Sequence, residues 1–572
     1  MAKNIYICSR KKLPDSIEKR LHEICKKLAP DNITPAEPRV LVNGDIAYGV
    51  MNPTSTLSES GTSLLMGQIF DKDEKWCVPL EEFPDGSYAL FRDGKEHCEI
   101  VSDPVASRTI WYYMDGNIFI ASTSQRMIVM FLGSFEFDER VIPWMLSTGT
   151  LGPAFSWDKR IKLVPADSSV ILNKNKWSVT TKSNPIEFNL VKRSDERHEK
   201  LLRELLQTVF KTLNLDYSKW VLPLSGGYDS RGILCLLLDA SPNSHCLRTI
   251  TWGLKSSLDV KGNDAFIARE LASKLNVPNK YYINDLSEEP IDRIINRFVL
   301  IGEGLIDNVS DYLDGFSMWK TIFENGIEGI IRGDEGFGCK PYSSPLAVRI
   351  NQSCSLCSDF SNLKDYMKYG FPSQELPQHL NQRKGETLSA WRDRLFHEHT
   401  LPTGFSPLSD LKLSYVEQIN PLLSRAILKQ VRQLPDHLRT GKTLFKKIVI
   451  SLSPEIDYAT HESSASLSEI LKQEQIVNLV KNELSSNVAK TLFPAAFLDF
   501  VLKGIKSKGQ IKTVKTNSFS LRSFIGKIIP RFLKETLRNK VVLPSLDNNI
   551  LAFRVFLICK MNKILNDDFR NN

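Results

Sequence analysis

A chain of 572 residues exceeds one ordinary domain, and 42% apolar with 24% charged residues is the balance of a globular protein with ample core. No apolar run approaches the roughly 20 residues a membrane-spanning helix needs, and the start Met-Ala-Lys-Asn-Ile-Tyr-Ile-Cys lacks the apolar stretch of a secretory signal, so a cytoplasmic protein with no transmembrane segment is expected. The net charge of +8 is uneven: residues 501–572 hold 15 Lys/Arg against 4 Asp/Glu, which suits either an acidic partner or a solvated helical face.

The first 190 or so residues predict many short strands. Glu99-Ile-Val-Ser, Thr109-Ile-Trp-Tyr-Tyr, Asn117-Ile-Phe-Ile-Ala and Ser169-Val-Ile-Leu are rich in β-branched and aromatic residues, and Phe83-Pro-Asp-Gly and Met114-Asp-Gly-Asn supply turn chemistry. A linker is expected near 185–195. Beyond Arg193 the period changes: Leu201, Leu202, Leu205, Leu206, Val209, Phe210 and Leu213 recur at helical spacing. The strand Trp220-Val-Leu-Pro-Leu, the loop Ser-Gly-Gly and a helical run from Gly232 then read as a parallel α/β unit. Arg248-Thr-Ile-Thr-Trp and Lys280-Tyr-Tyr-Ile extend it as further strands, with a helix around 264–275 between them. Past residue 400 the pattern is almost wholly helical.

Ten cysteines are scattered, as befits small buried hydrophobes in a reducing compartment. Cys354 and Cys357 form a Cys-x-x-Cys pair with Cys339 upstream, and His397 or His399 is a conceivable fourth zinc ligand. Nothing in the spacing requires zinc, and His397-Glu398-His399 reads as surface.

The loop Leu224-Ser225-Gly226-Gly227-Tyr228-Asp229-Ser230-Arg231 carries the chemistry. A glycine-rich turn between strand and helix exposes backbone N–H groups beside the positive end of a helix, which together make an anion site. Ser225 and Ser230 add hydroxyls. Asp229 would repel a bare phosphate, so it implies a bridging cation, most simply Mg²⁺. No Gly-Lys-Ser/Thr follows, so the loop is not a Walker A motif.

This loop resembles the pyrophosphate loop of the asparagine synthetase-like ATP-pyrophosphatases. Three further segments fall in that family's order. Thr249-Ile-Thr-Trp252-Gly253 with Asp264-Ala-Phe-Ile-Ala-Arg-Glu-Leu-Ala resembles its adenine-side strand and helix. Gly333-Asp334-Glu335-Gly336-Phe337-Gly338 resembles the signature whose Asp is the second magnesium ligand. Lys442 stands where the family places its catalytic lysine, with Lys446 a possible second cation. Residues 1–190 are similar to the family's class II glutaminase domain, an Ntn-type fold, and 195–572 to its synthetase domain, with 461–572 as a helical, basic part. The resemblance thus implies ATP and Mg²⁺ as cofactors, Asp229 and Asp334 as metal ligands, and Leu224, Ser225, Gly226, Gly227, Ser230, Trp252, Gly253 and Gly333 around the nucleotide.

Two departures narrow the expected activity. The family's glutaminase uses a cysteine directly after the initiator Met, whereas this chain has Ala2, so the N-terminal part should release no ammonia. Cys8 lies inside an apolar strand-like run. The position three residues before Asp334, a glutamate in asparagine synthetases and a tyrosine in β-lactam synthetases, is Ile331. The combination most resembles the lasso peptide cyclases, macrolactam synthetases that adenylate an Asp or Glu side chain of a leader-cleaved peptide. The peptide's own N-terminal amine then closes the ring. A leader-binding or protease partner protein is implied, and no nucleic acid. Alternatives are another amide ligase of this superfamily acting on a small acid with ammonia or a free amine, a silent precursor-binding scaffold, and, from the basic tail, a tRNA-modifying pyrophosphatase.

Overall fold

Twelve strands in the first 183 residues form two antiparallel sheets in this computed structural model, which describes residues 3–71, 73–240, 246–508 and 543–570. They are β1 (Asn4–Ser9), β2 (Arg39–Asn43), β3 (Ile46–Val50), β4 (Leu57–Ser60), β5 (Ser63–Ile69), β6 (Gly86–Asp93), β7 (His97–Ser102), β8 (Trp111–Met114), β9 (Ile118–Ser122), β10 (Lys162–Leu163), β11 (Ser168–Asn173) and β12 (Ser178–Ser183). The sheet orders are β10-β8-β9-β1-β3-β2 and β12-β11-β7-β6-β5-β4. Strand alternation builds the layers. In β1, Tyr6 and Cys8 face the second sheet, where Tyr6 stacks on Phe91 at 5.3 Å. Ile5 and Ile7 face the other way, into a core shared with α1 (Ser16–Leu28) and α2 (Gln125–Leu132). The predicted Asp-Gly turn closes β8 onto β9, with Asp115 Oδ1 accepting from Asn117 N at 2.7 Å.

From α4 (Asp195–Thr212) onward the topology is parallel. β13 (Trp220–Pro223), β14 (Arg248–Gly253), β15 (Asn279–Ile283), β16 (Gly329–Ile331) and β17 (Glu417–Ile419) make one sheet in the order β15-β14-β13-β16-β17, with every pair parallel. Both faces are covered. Leu222 and Ile331 pack with α4 and α5 (Tyr228–Ala240), while Val221 and Ile330 pack with the helix Ile291–Gly302. The order in which the chain adds strands runs outward in opposite directions from the β13–β16 pair. That switch point opens a crevice at the strands' carboxyl ends, where ligands of open α/β sheets bind.

One expectation is refined and one corrected. The stretch past residue 400 contains β17, the edge strand of the parallel sheet; three residues are too few to show a period of two. His397 and His399 are 0% and 2% exposed rather than on the surface. They sit in a wide-turned π-helical stretch, Phe396–Phe405, which rotates both imidazoles inward onto the carbonyls of Gly336 (2.8 Å) and Ser353 (2.9 Å). Cys354 packs in an apolar cluster with Trp391 and Leu395, and Cys357 Sγ donates to Pro143 O at 3.2 Å. Among the described residues no group of three or more His, Cys, Asp or Glu is arranged to hold a metal. Nor is any helix there long and apolar enough to cross a membrane. Ala2 and residues 509–542 of the basic tail lie outside the described residues, whereas Lys503, Lys506 and Lys508 are exposed.

Candidate functional site

β13 ends at Pro223, and Leu224–Gly227 turns the chain into α5. The loop is shaped by its own side chains. Ser225 N donates to Ser230 Oγ (3.0 Å), Gly227 N to Ser225 Oγ (3.2 Å) and Gly226 N to Asp264 Oδ1 (3.0 Å) at the start of the next helix, Asp264–Lys274. These N–H groups, expected to face phosphate, are therefore already taken. The donors left for an anion are those of the first turn of α5, which have no intrahelical acceptor. Burial raises the Asp264 carboxyl, and the Gly226 N–H bond opposes the rise.

The glycines serve close packing. A Cβ on Gly226 would meet Ala459 Cβ at 2.5 Å, and one on Gly253 would meet Ser463 Cβ at 2.4 Å. Both contacts come from the segment 457–467, which crosses over the strand ends. It is fastened there by Ala459 N to Gly226 O (3.0 Å), Leu254 N to Ser463 O (2.9 Å) and Ser463 Oγ to Trp252 O (2.8 Å).

Beneath this segment lies a cavity of about 770 Å³. Leu224, Ser225, Asp229, Ser230, Trp252, Gly333 and Asp334 line it; Gly226, Gly227 and Gly253 are not among its lining residues. Its lining holds the carboxylates Asp229, Asp264, Asp307, Asp311, Asp334 and Glu462 against one cation, Arg332. Asp307 is paired with Arg554 of the C-terminal helix Asn548–Arg570 at 2.6 Å, and Asp334 with Arg332 at 3.1 Å. Behind Arg332 the buried Lys412 gives its ammonium to Leu408 O (2.8 Å), and burial reinforced by the Arg332 charge pulls it down to about 7. A wider groove of about 1140 Å³, between the helix Asp264–Lys274 and residues 453–458, holds none of the predicted site residues.

Lys442 reaches the cavity's edge from the start of the helix Thr443–Leu452. Its Nζ lies 2.8 and 3.0 Å from the Asp229 oxygens and 3.0 Å from Glu335 Oε1. Burial opposes this ammonium, but Glu335 and Asp229 outweigh it and raise Lys442. Burial pushes Glu335 up to about 7 against the pull of Lys442. Its second oxygen accepts from Phe337 N. Lys446, one helical turn on, lies instead over the Tyr228 ring, 5.1 Å from its centroid and outside the cavity lining. Sequence spacing thus assembles Asp229, Asp334 and Lys442 at one place. It did not single out Glu335, whose only signal was adjacency to Asp334. Nor did it identify Arg332, or the carboxylate role of Asp264, as parts of the same cavity.

No family model matches the chain, and no curated protein matches it. Twenty-eight chains of solved structures do. One is glutamine phosphoribosylpyrophosphate amidotransferase from B. subtilis complexed with ADP and GMP, at 10% identity over 50% of this chain and 66% of that chain, with a TM-score of 0.19. Another, described as the allosteric regulatory enzyme of purine biosynthesis, matches at 10% identity over 50% of this chain and 81% of that one, with a TM-score of 0.21. Scores this low carry no weight for the site.

Proposed function

We propose that the chain is an ATP-dependent, AMP-forming carbon–nitrogen ligase that activates an Asp or Glu side chain of a precursor peptide and closes a macrolactam ring with the peptide's N-terminal amine. The observation that carries it is the convergence of Asp229, Asp334 and Lys442 on one cavity at the switch point of a parallel sheet. The donor chemistry fits the cofactor: hard carboxylate oxygens suit Mg²⁺, which prefers one or two carboxylates completed by phosphate oxygens and water. A lining this acidic would repel a triphosphate unless divalent cations bridged it.

In this reading Asp229 and Asp334 would hold Mg²⁺, which would supply charge neutralisation for pyrophosphate. The substrate carboxylate oxygen attacks the α-phosphorus, the bond to the β-phosphate oxygen breaks, and pyrophosphate leaves. Lys442 and the first-turn N–H groups of α5 stabilise the charge that develops. An amine nitrogen then attacks the acyl carbon, AMP departs, and the amine's proton passes to a base. The 457–467 segment excludes water that would otherwise hydrolyse the adenylate. Ala2 in place of a cysteine is expected to give no glutamine-derived ammonia, so in this reading an amine carried by the substrate is the nucleophile.

The test is ATP–pyrophosphate exchange with Mg²⁺ and a short peptide bearing a free N-terminus and an internal acidic side chain. Asp229→Ala and Asp334→Ala are each expected to lower exchange by roughly 100- to 1000-fold, the usual cost of one charge-stabilising group. Near-normal exchange in either variant refutes the assignment. The product should be one water lighter than the peptide by mass spectrometry, and N-acetylation of the substrate should abolish it. Water loss from the acetylated peptide would remove the cyclase step while leaving adenylation standing. Glutamate release from glutamine by the pure protein would overturn the silent-glutaminase part.

A further inference from the structure

We propose that Glu335 is a positioning residue for Lys442, holding the ammonium at the cavity's edge when the Asp229 carboxylate turns to a divalent cation. This rests on the ligase reading above and concerns the same site. Lys442 shares one positive charge between two carboxylates, with two contacts to Asp229 and one to Glu335. The two partners differ in what else they can serve. Asp229 lies in the first turn of α5, lines the cavity and keeps 29% of its side chain exposed. Glu335 is 11% exposed, and its other oxygen is occupied by Phe337 N.

The turn that carries Glu335 is held from several sides. His397 meets Gly336 O at 2.8 Å, a Cβ on Gly336 would strike Leu428 at 2.5 Å, and Gly338 lies against the backbone of Arg439. Gly441 N donates to Cys339 O at 2.8 Å, tying the same turn to the segment that presents Lys442. A divalent cation on Asp229 competes for the oxygens Lys442 now uses and repels its ammonium by like charge. With Asp229 as sole anchor the lysine would leave the site at the step that needs it. Glu335, fixed by its own contacts and not part of the cavity lining, is the anchor that survives the exchange of partners.

The test uses the full-length protein, with Glu335→Gln, Glu335→Asp, Lys442→Ala and the double variant Glu335→Gln/Lys442→Ala. Three quantities are read: affinity for ATP in Mg²⁺ by equilibrium dialysis, pyrophosphate exchange, and the rate at which Lys442 Nζ is acylated by an amine reagent, followed by mass spectrometry. The last is measured with and without Mg²⁺ and a non-hydrolysable ATP analogue. In the parent protein Lys442 should stay slow to label in both conditions. In Glu335→Gln, adding Mg²⁺ and the analogue should speed labelling by roughly tenfold while nucleotide affinity stays within about threefold. Exchange should fall as far as in Lys442→Ala, with no further loss in the double variant, as expected for groups acting as one unit. Glu335→Asp, which keeps the charge one methylene short, should recover part of the exchange. Labelling of Glu335→Gln that ignores Mg²⁺ and the analogue, or affinity lost in step with exchange, overturns the proposal. Should Glu335→Gln fail to fold, Glu335→Asp carries the same labelling comparison. Labelling decides where the lysine sits even if the parent shows no exchange; that last outcome would count against the ligase reading alone.

Discussion

Two imidazoles are buried, that of His397 against Gly336 in the turn that carries Asp334 and Glu335, and that of His399 against Ser353. Burial, helped by the Arg432 charge, pulls His397 down to about 3, and burial pulls His399 down to about 4. An unfolded histidine titrates near 6.5. As pH falls below that value the unfolded chain takes up protons that the folded imidazoles refuse, so stability is full above about 6.5 and declines toward the folded-state values. Each histidine should cost up to about 2 kcal/mol by pH 5. Glu335 acts in the opposite sense, since a buried carboxyl raised to about 7 loses stability as pH climbs through that range. The histidine part is isolated by comparing the parent with His397→Gln in urea midpoints at pH 7.5 and pH 5, where the variant should flatten the acid decline. An unchanged slope would mean that this imidazole charges without penalty. At this scale the sequence disclosed Asp229, Asp334 and Lys442, because their chemistry sits in spaced motifs. It hid His397, because nothing in an i, i+2 pair announces a π-helical turn.

Short elements decide the geometry of the cavity, and they are the ones least visible in the chain. β16 and β17 are three residues each, yet β16 delivers Arg332, Gly333 and Asp334 to the crevice. β13, α4 and α5 were legible because an apolar stripe and a glycine loop recur at diagnostic spacing. The glycine turn after β16 offers a test at this level. Gly338 has φ +118°, and a Cβ there would stand 2.4 Å from Arg439 O, a backbone atom that cannot swing aside. Gly338→Ala should therefore cost about 1–3 kcal/mol in unfolding free energy from backbone strain alone. It should also slow exchange, because the displaced 439–442 segment carries Lys442. A urea midpoint equal to the parent's would show that the turn relaxes freely.

The antiparallel layers and the parallel sheet are joined by buried charges. Arg108 pairs with Glu417 of β17, Lys3 meets Glu303 at 3.1 Å, and Arg425 meets Asp167 at 2.6 Å. Arg108 and Glu417 stand 309 positions apart, so no local pattern could reveal them as partners. Taking the charge from one member breaks a buried ion pair, which typically costs up to about 3–5 kcal/mol. Glu417→Gln should lower stability by about 1–3 kcal/mol, measured by urea unfolding, and a loss below about 1 kcal/mol would mean that the other contacts of Arg108 compensate for the lost pair. The same links predict one cooperative transition. Tryptophan fluorescence and far-ultraviolet dichroism should trace coincident curves, because neither part can open without exposing its partner's charges. Two separated transitions would show the linkage to be weak.

Lys442 occupies the left-handed backbone region, with φ +61°, directly after Gly441 at φ +65°. For a residue with a Cβ that conformation is uphill by about 1 kcal/mol or more, and glycine or asparagine would relieve it. Under the proposed function, evolution toward thermal robustness and evolution toward turnover therefore pull in opposite directions at this codon. A library screened only for solubility or heat resistance should enrich glycine or asparagine at 442 and drift toward sturdy, inert proteins. Laboratory selection for a hardier variant must hold this position fixed to keep the lysine.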